Sequence, residues 1–313
     1  MRTAVLEGPG KFVIHDVPTP RPQEGEVLIK VAACGICHSE MPLWDGSFGQ
    51  YPNRIGHEVS GTIVQLGSGV THFQVGDRVT IFTDRYGYSE YVSVPGDQVI
   101  PIGANTSFTA ALGEPIGCVV NGLRRARIGL GDTVVLVGVG FMGLIMLQLA
   151  RISGAAQIIA VDTRDSALKR AAGMGAHICL NPTEVDVKQA VMDITGGAGA
   201  DCVIELTGNQ AGLDLSTELV RVRGNLVIFG FHTGERRVNM FLWNWHGLDV
   251  INAHERAPSA YVEGIRAGMK LLESGSLDME PLVTHRYPLE QINEAFAVAY
   301  ARGDDYVKAV IEP

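Results

Sequence analysis

The sequence predicts an α/β plus β chain of two domains, in which a β domain is interrupted by a doubly wound parallel α/β domain. Three observations predict it. Short apolar runs bounded by turn residues fill residues 1 to about 115. Continuous apolar strands then alternate with helix-patterned segments. Toward the C-terminus the pattern becomes mixed again and closes on a short strand. A length of 313 residues fits two domains at roughly 100–200 residues each. The expected boundaries are 1–115 with 256–313 for the β domain and 116–255 for the α/β domain.

Taken in order, Glu26-Val27-Leu28-Ile29-Lys30-Val31 and Gly61-Thr62-Ile63-Val64-Gln65-Leu66 read as strands. Gln23-Glu24-Gly25, Gly67-Ser68-Gly69 and Val75-Gly76-Asp77 are the turns between such runs, a spacing that predicts a small barrel or sandwich. Thr133–Val137 is a continuous apolar strand, followed by a glycine turn and a helix beginning near Gly143. Strands follow at Gln157–Val161, Asp201–Glu205 and Asn225–Phe229, with helices at Ser166–Met174 and about Gln210–Val222. Strands in this alternation form a parallel sheet covered on both faces. Helices at Tyr261–Ser274 and Glu290–Ala301 and a strand at Lys308–Ile311 end the chain.

Hydrophobic residues make up 46% of the chain and charged residues 19%, enough apolar material for a core and too much for disorder. The net charge of −9 argues against nucleic acid as a partner, because neutralising phosphates needs basic patches. Five cysteines, odd in number and sparse, fit a reducing compartment better than a disulfide scaffold. The longest apolar stretch, Val134 to Leu147, contains three glycines and is shorter than the roughly 20 residues that span a bilayer. These features predict a cytoplasmic protein without a membrane partner.

Gly138-Val139-Gly140-Phe141-Met142-Gly143 has the G-x-G-x-x-G spacing, with a strand before it and a helix after it. Asp162 follows Gly143 by 19 residues, at the end of the next strand. Together these form a dinucleotide fingerprint: glycines let the pyrophosphate approach backbone N–H groups at a helix N-terminus, and the acid binds ribose hydroxyls. A carboxylate there repels a 2′-phosphate, so NAD is favoured over NADP. Arg164 partly offsets that repulsion and keeps the choice open.

Cys34-Gly35-Ile36-Cys37-His38-Ser39-Glu40 contains a C-x-x-C, which reads as two buried thiols, half a zinc finger or a redox pair. No second C-x-x-C accompanies it. Gly56-His57-Glu58 follows twenty residues after Cys37, and Glu114 stands just before the α/β domain. A catalytic zinc site draws three ligands from such cysteine, histidine and carboxylate side chains and keeps one position open.

As an ordered set these residues resemble the zinc-dependent medium-chain dehydrogenases, which include the alcohol, sorbitol and threonine dehydrogenases. The resemblance runs over nearly the whole chain, through Val75-Gly76-Asp77-Arg78-Val79, Glu114-Pro115, the fingerprint and Gly199-Ala200-Asp201. It implies a chaperonin-10-like barrel joined to a Rossmann domain. It implies that zinc is held by Cys37, not Cys34, with His57 and Glu114, and with Glu58 as a close or alternating ligand. Ser39 would contact the substrate oxygen and begin proton transfer. The cofactor contacts implied are His38, Gly138, Gly140, Phe141, Met142, Gly143, Asp162, Arg164 and Thr207. Glu40 stands where the family has aspartate, either behind the metal or in an ion pair, for instance with Lys308.

Two departures carry consequences. No cysteine occurs between Cys37 and Cys118, and the chain passes quickly from Phe82 to Tyr88, so the lobe that carries a structural zinc in many members is missing. One catalytic zinc per chain, and no structural zinc, is therefore expected. Pro42 stands where many members place a histidine that completes a proton relay, so the proton must leave by water or by the cofactor ribose. Trp44 and Phe48 are candidates for the pocket or the barrel core. Trp243 and Trp245 are candidates for a subunit interface, and His254 and Glu255 for the active-site cleft.

The activity implied is hydride transfer between NAD and a small alcohol or ketone, with a polyol, cyclitol or other secondary alcohol expected and a homodimer or homotetramer as the assembly. The alternatives are a zinc-free double-bond reductase of the quinone-reductase type and a non-catalytic NAD-binding protein. Both sit poorly with the joint presence of Cys37, Ser39, His57 and Glu114.

Overall fold

The computed structural model describes residues 1–84 and 86–313. Its contacts divide the chain into two units, Met1–Gly117 with Ala257–Pro313, and Cys118–Arg256; the first change of unit falls within the helix Gly113–Ala126 and the second just before the helix Pro258–Glu273.

The first unit is built on a seven-stranded sheet. Its strand order is His285–Pro288, Ala309–Glu312, Glu26–Gly35, Glu58–Leu66, Arg78–Ile81, Val99–Pro101, with Tyr91–Pro95 also paired to Glu26–Gly35. The long strand Glu26–Gly35 is the hub. It pairs antiparallel with Glu58–Leu66, Tyr91–Pro95 and Ala309–Glu312. Val27, Ile29, Val31 and Cys34 are all buried, as the apolar run requires. A separate two-stranded sheet, Arg2–Gly8 with Lys11–Asp16, adds Leu6 and Phe12 to the same core. The C-terminal helix Ile292–Ala301 lays Ile292, Ala295, Phe296 and Ala299 onto it at helical spacing. Its Phe296 ring lies 4.7 Å from Phe12 and 5.6 Å from Tyr88. Such pairs add roughly 0.5–1.5 kcal/mol beyond the area they bury.

The second unit is a six-stranded parallel sheet in the order Ile178–Leu180, Gln157–Val161, Thr133–Val137, Ala200–Glu205, Val220–Ile228, Asp249–Asn252. The first strand in sequence is central and the order reverses beside it, which is the switch point where doubly wound folds bind ligands. The helix Phe141–Ile152 carries the chain from the first strand to the second. It buries Leu144, Ile145, Met146, Leu147 and Leu149, each worth roughly 1.5–3 kcal/mol on full burial. The strand Val220–Ile228 begins where a helix was expected to continue, because the helix Gln210–Leu219 stops at the β-branched Val220. The helix Met240–His246 and the edge strand Asp249–Asn252 have no strong periodicity and were not anticipated.

Among the described residues, no helix is long and apolar enough to cross a membrane.

Candidate metal centre and nucleotide loop

The metal centre is assembled by strand register. Glu26–Gly35 and Glu58–Leu66 run antiparallel with Gly35 opposite Glu58 and Cys34 opposite Val59. That pairing brings the segment after Gly35 beside the segment before Glu58, and so closes the twenty-residue gap between Cys37 and His57. Gly35 leaves room for the side chains gathered there: a Cβ would lie 2.1 Å from Glu58 Oε2 and 2.9 Å from Lys308. Cys37 leads into a short 3-10 turn, His38–Glu40. The ligand atoms of Cys37, His57 and Glu58 all lie within 4.8 Å of one another, and this is the one such group among the described residues. Glu114, in the first turn of the helix Gly113–Ala126, is outside it.

Glu40 ties the two ligand loops together. Its Oε1 accepts from Gly56 N at 2.8 Å and meets His57 Nδ1 at 3.1 Å. Its Oε2 accepts from Cys37 N at 3.2 Å and from the Tyr88 hydroxyl at 2.6 Å. With Nδ1 engaged by a carboxylate, His57 is oriented to ligate through Nε2, an arrangement common around zinc. Burial opposes charge on His57, but the negative charges of Cys37 and Glu40 prevail and hold its pKa well above the usual imidazole range. Burial likewise opposes the charge on Glu40, yet His57, Tyr88 and the Cys37 amide keep it below the usual carboxylate range.

Of the two readings of Glu40, the place behind the ligands is the one its contacts fit, and Lys308 is not its partner. Lys308 instead pairs with Glu58, donating to Oε1 at 2.7 Å and to the Ile36 carbonyl at 2.8 Å. The reason is again register, since Val310 lies opposite Gly35, which itself faces Glu58. Burial works against the Lys308 charge, and Glu58 with Cys37 overcomes it, pushing the ammonium up to about 12. Glu58 Oε2 also lies 2.6 Å from the ammonium, so Lys308 stands against both carboxylate oxygens. A thiol, an imidazole fixed through Nδ1, and a buried carboxylate oxygen with unfilled acceptor capacity fit zinc.

The neighbours sort by environment. Ser39 Oγ donates to Cys37 Sγ at 3.2 Å. Burial, with Arg302 and Lys308 nearby, pushes the His38 imidazole down to about 4, so it is neutral at pH 7. Cys34 is wholly buried in the core, and burial raises its thiol pKa well above normal. It behaves as an inert core thiol. Trp44 packs against Phe296 and Tyr300 on the barrel core, whereas Phe48 is 72% exposed and lines no interior.

In the second unit, Thr133–Val137 runs through Gly138-Val139-Gly140 into Phe141–Ile152, with Gly140 as an N-cap that makes no side-chain hydrogen bond to the helix start. Gly138 has φ +97°, and a Cβ on Gly143 would lie 2.2 Å from the Gly138 carbonyl oxygen. Asp162 Oδ2 accepts from Val139 N at 3.0 Å, and Oδ1 accepts from Arg164 N and Nε at 3.0 and 3.2 Å. The acid therefore braces the glycine turn and holds Arg164 at the same time.

Thr207 stands beside that turn, where its Cγ2 would lie 2.9 Å from a Cβ on Gly138. It is held by Glu205, a residue sequence reasoning passed over. Glu205 is fully buried; its Oε1 accepts from Thr207 N and Gly208 N at 2.6 and 2.9 Å. Its Oε2 meets His232 Nε2 at 2.9 Å, and Arg236 Nε donates to His232 Nδ1 at 2.9 Å. The available signal was a glutamate directly after the apolar run Cys202-Val203-Ile204. Trp243 packs on the sheet core and donates to Thr217 Oγ1 at 3.2 Å, while Trp245 is 75% exposed. His254 Nε2 meets the Gly230 carbonyl at 3.2 Å, within the same unit.

Residues 23–104 match the alcohol dehydrogenase GroES-like domain, and residues 142–267 match the zinc-binding dehydrogenase family. Sorbitol dehydrogenase of Ovis aries is 31% identical over 93% of this chain and 91% of its own. Erythritol/L-threitol dehydrogenase of Mycolicibacterium smegmatis is 30% identical over 100% of this chain and 98% of its own. Among solved structures, a zinc-binding dehydrogenase from Sinorhizobium meliloti bound to NADP has a TM-score of 0.91 at 26% identity, covering 100% of this chain and 99% of that one. Alcohol dehydrogenase from Thermus sp. ATN1 has a TM-score of 0.89 at 25% identity with the same coverage.

Proposed function

The chain belongs to the zinc-dependent medium-chain dehydrogenases, and from that premise we propose that it reversibly oxidises a polyol or related secondary alcohol with NAD. The observation that carries the proposal is the convergence of Cys37, His57 and the buried Glu58, braced by Glu40. These three residues would hold one zinc per chain; Glu114 lies outside the group and could join it only after rearrangement. Zinc there supplies a Lewis acid that acidifies an alcohol hydroxyl, and the nicotinamide accepts hydride.

The chain's own residues do the rest. Ser39 Oγ, beside Cys37 Sγ, takes the proton of the substrate hydroxyl. Glu40 holds the His57 ring, and Lys308 offsets one of the site's negative charges. Pro42 offers no proton acceptor, so the proton leaves through water or the cofactor ribose. Gly138, Gly140, Phe141, Met142, Gly143 and Thr207 receive the cofactor's pyrophosphate side. Asp162 favours NAD. Its pairing with Arg164 softens the repulsion of a 2′-phosphate, so the preference is one of degree.

The polyol assignment draws on the relatives that act on sorbitol and on erythritol or threitol. A homodimer or homotetramer in the cytoplasm completes the reading. It is supported by five free cysteines and by the exposed, stacked Phe241 and Trp245 near the edge strand Asp249–Asn252.

The test is zinc per chain by elemental analysis on wild type, Cys37→Ala and Cys34→Ala, followed by a panel of polyols and secondary alcohols with NAD and NADP. About one zinc, lost with Cys37→Ala and kept with Cys34→Ala, supports the reading. No zinc in wild type, or zinc that depends on Cys34, would sink the ligand assignment and favour a zinc-free reductase or a non-catalytic binder.

A further inference from the structure

The carboxylate that braces the metal centre is itself held by a residue outside both ligand loops. Tyr88 is completely buried, and its ring is fixed edge-on against Phe12 and Phe296 at 6.2 and 5.6 Å. Its backbone is anchored as well, the Tyr88 carbonyl accepting from Ala4 N at 2.8 Å. The neighbouring Gly87 N donates to the Gly56 carbonyl at 2.9 Å, so this segment lies against the loop that carries His57. The hydroxyl therefore has little freedom. It points at Glu40 Oε2 at 2.6 Å, with the Gly35 carbonyl a more distant acceptor at 3.1 Å. One O–H has one proton, and the shorter, charge-assisted contact is the stronger.

The division of labour at Glu40 shows what that bond does. Oε1 serves the His57 side through Gly56 N and Nδ1. Oε2 serves the Cys37 side, where its other donor, Cys37 N, is at a long 3.2 Å. Without the phenol, Oε2 would keep only that weak contact, and the carboxylate would be held mainly through Oε1, freer to turn away from Cys37 and to shift against Nδ1.

We propose that Tyr88 is a positioning residue of the metal centre, its hydroxyl setting the Glu40 carboxylate and, through it, the orientations of His57 and Cys37. The proposal rests on the zinc-site reading above.

The experiment compares wild type, Tyr88→Phe, Glu40→Gln and the double variant. Zinc affinity is measured by competition with a chromophoric chelator, and ligand geometry by the visible spectrum of the cobalt(II)-substituted chain. Tyr88→Phe is expected to weaken zinc binding about tenfold, the low end of what loss of an outer-shell partner costs, and to alter the cobalt bands. In the Glu40→Gln background the same substitution should change affinity less than twofold, because its effect runs through that carboxylate. Unchanged affinity and spectrum in Tyr88→Phe would overturn the positioning role while leaving the zinc site intact. An equal loss in both backgrounds, or a Tyr88→Phe chain that does not fold, would assign the hydroxyl to general structure and overturn it too. A wild type that takes up no zinc would overturn the site reading along with it.

Discussion

Lys308→Met removes the charge from the deepest ion pair in the barrel unit while keeping an unbranched side chain of similar length. Lys308 and Glu58 are 3% and 1% exposed. The ammonium lies within 2.7 Å of both carboxylate oxygens and also satisfies the Ile36 carbonyl. Truncating one partner of such a pair leaves a buried, uncompensated charge, which costs about 3–5 kcal/mol. For a unit of this size that corresponds to a fall in Tm of roughly 6–20 °C. The pH window follows from the raised Lys308 pKa. The pair's contribution is fully present below the ordinary value of 10.5 and is lost as pH rises through about 12, so a neutral assay samples all of it.

The metal state gives the sharper test. A bound divalent cation would supply the countercharge that Lys308 no longer provides, so the penalty should shrink in the zinc-loaded chain. Thermal unfolding of both proteins, with zinc and with chelator, measures this. Adding Glu58→Gln should recover part of the loss in the chelated state. A Lys308→Met chain within about 1 kcal/mol of wild type without metal would refute the reasoning, as would a penalty of equal size with and without zinc.

Three further outcomes are expected. Glu205→Ala leaves the Thr207 and Gly208 amides without their acceptor and should destabilise by about 2–5 kcal/mol in urea denaturation; a change below about 1 kcal/mol would contradict the network. Asp162→Asn should raise the ratio of kcat/KM for NADP over NAD by about tenfold, roughly 1.4 kcal/mol, and an unchanged ratio in steady-state kinetics would remove Asp162 from cofactor choice. The His57 pKa is raised in the metal-free chain, so its stabilising contribution there is present below about 6.5 and lost as pH rises through the elevated value. Zinc requires the neutral ring, so uptake near pH 7 should release at least one proton and weaken as pH falls; calorimetric heats that do not depend on the buffer's ionisation enthalpy would count against this.

The second unit was legible because its signals are local. The glycine spacing, the apolar strand before it and the acid after the next strand act within some thirty residues, and backbone geometry reads them directly. The short strands Ile178–Leu180 and Asp249–Asn252 were not legible, since three or four residues carry too little periodicity to stand out.

In the barrel, the residue types of a metal site and their chemistry were readable from the sequence by itself: a thiol, an imidazole, carboxylates and a serine in order. Which of them meet was decided by tertiary structure. Cys34 and Cys37 look alike in the sequence, but Cys34 lies within a strand and points into the core, whereas Cys37 stands in the turn beyond it. Glu40 could have taken Lys308 as its partner. Strand register across 250 positions gave Lys308 to Glu58 and left Glu40 to His57 and Tyr88. No local propensity encodes a pairing over that distance. It is set by which strands share a sheet edge, and that follows from burying both faces of the barrel at once.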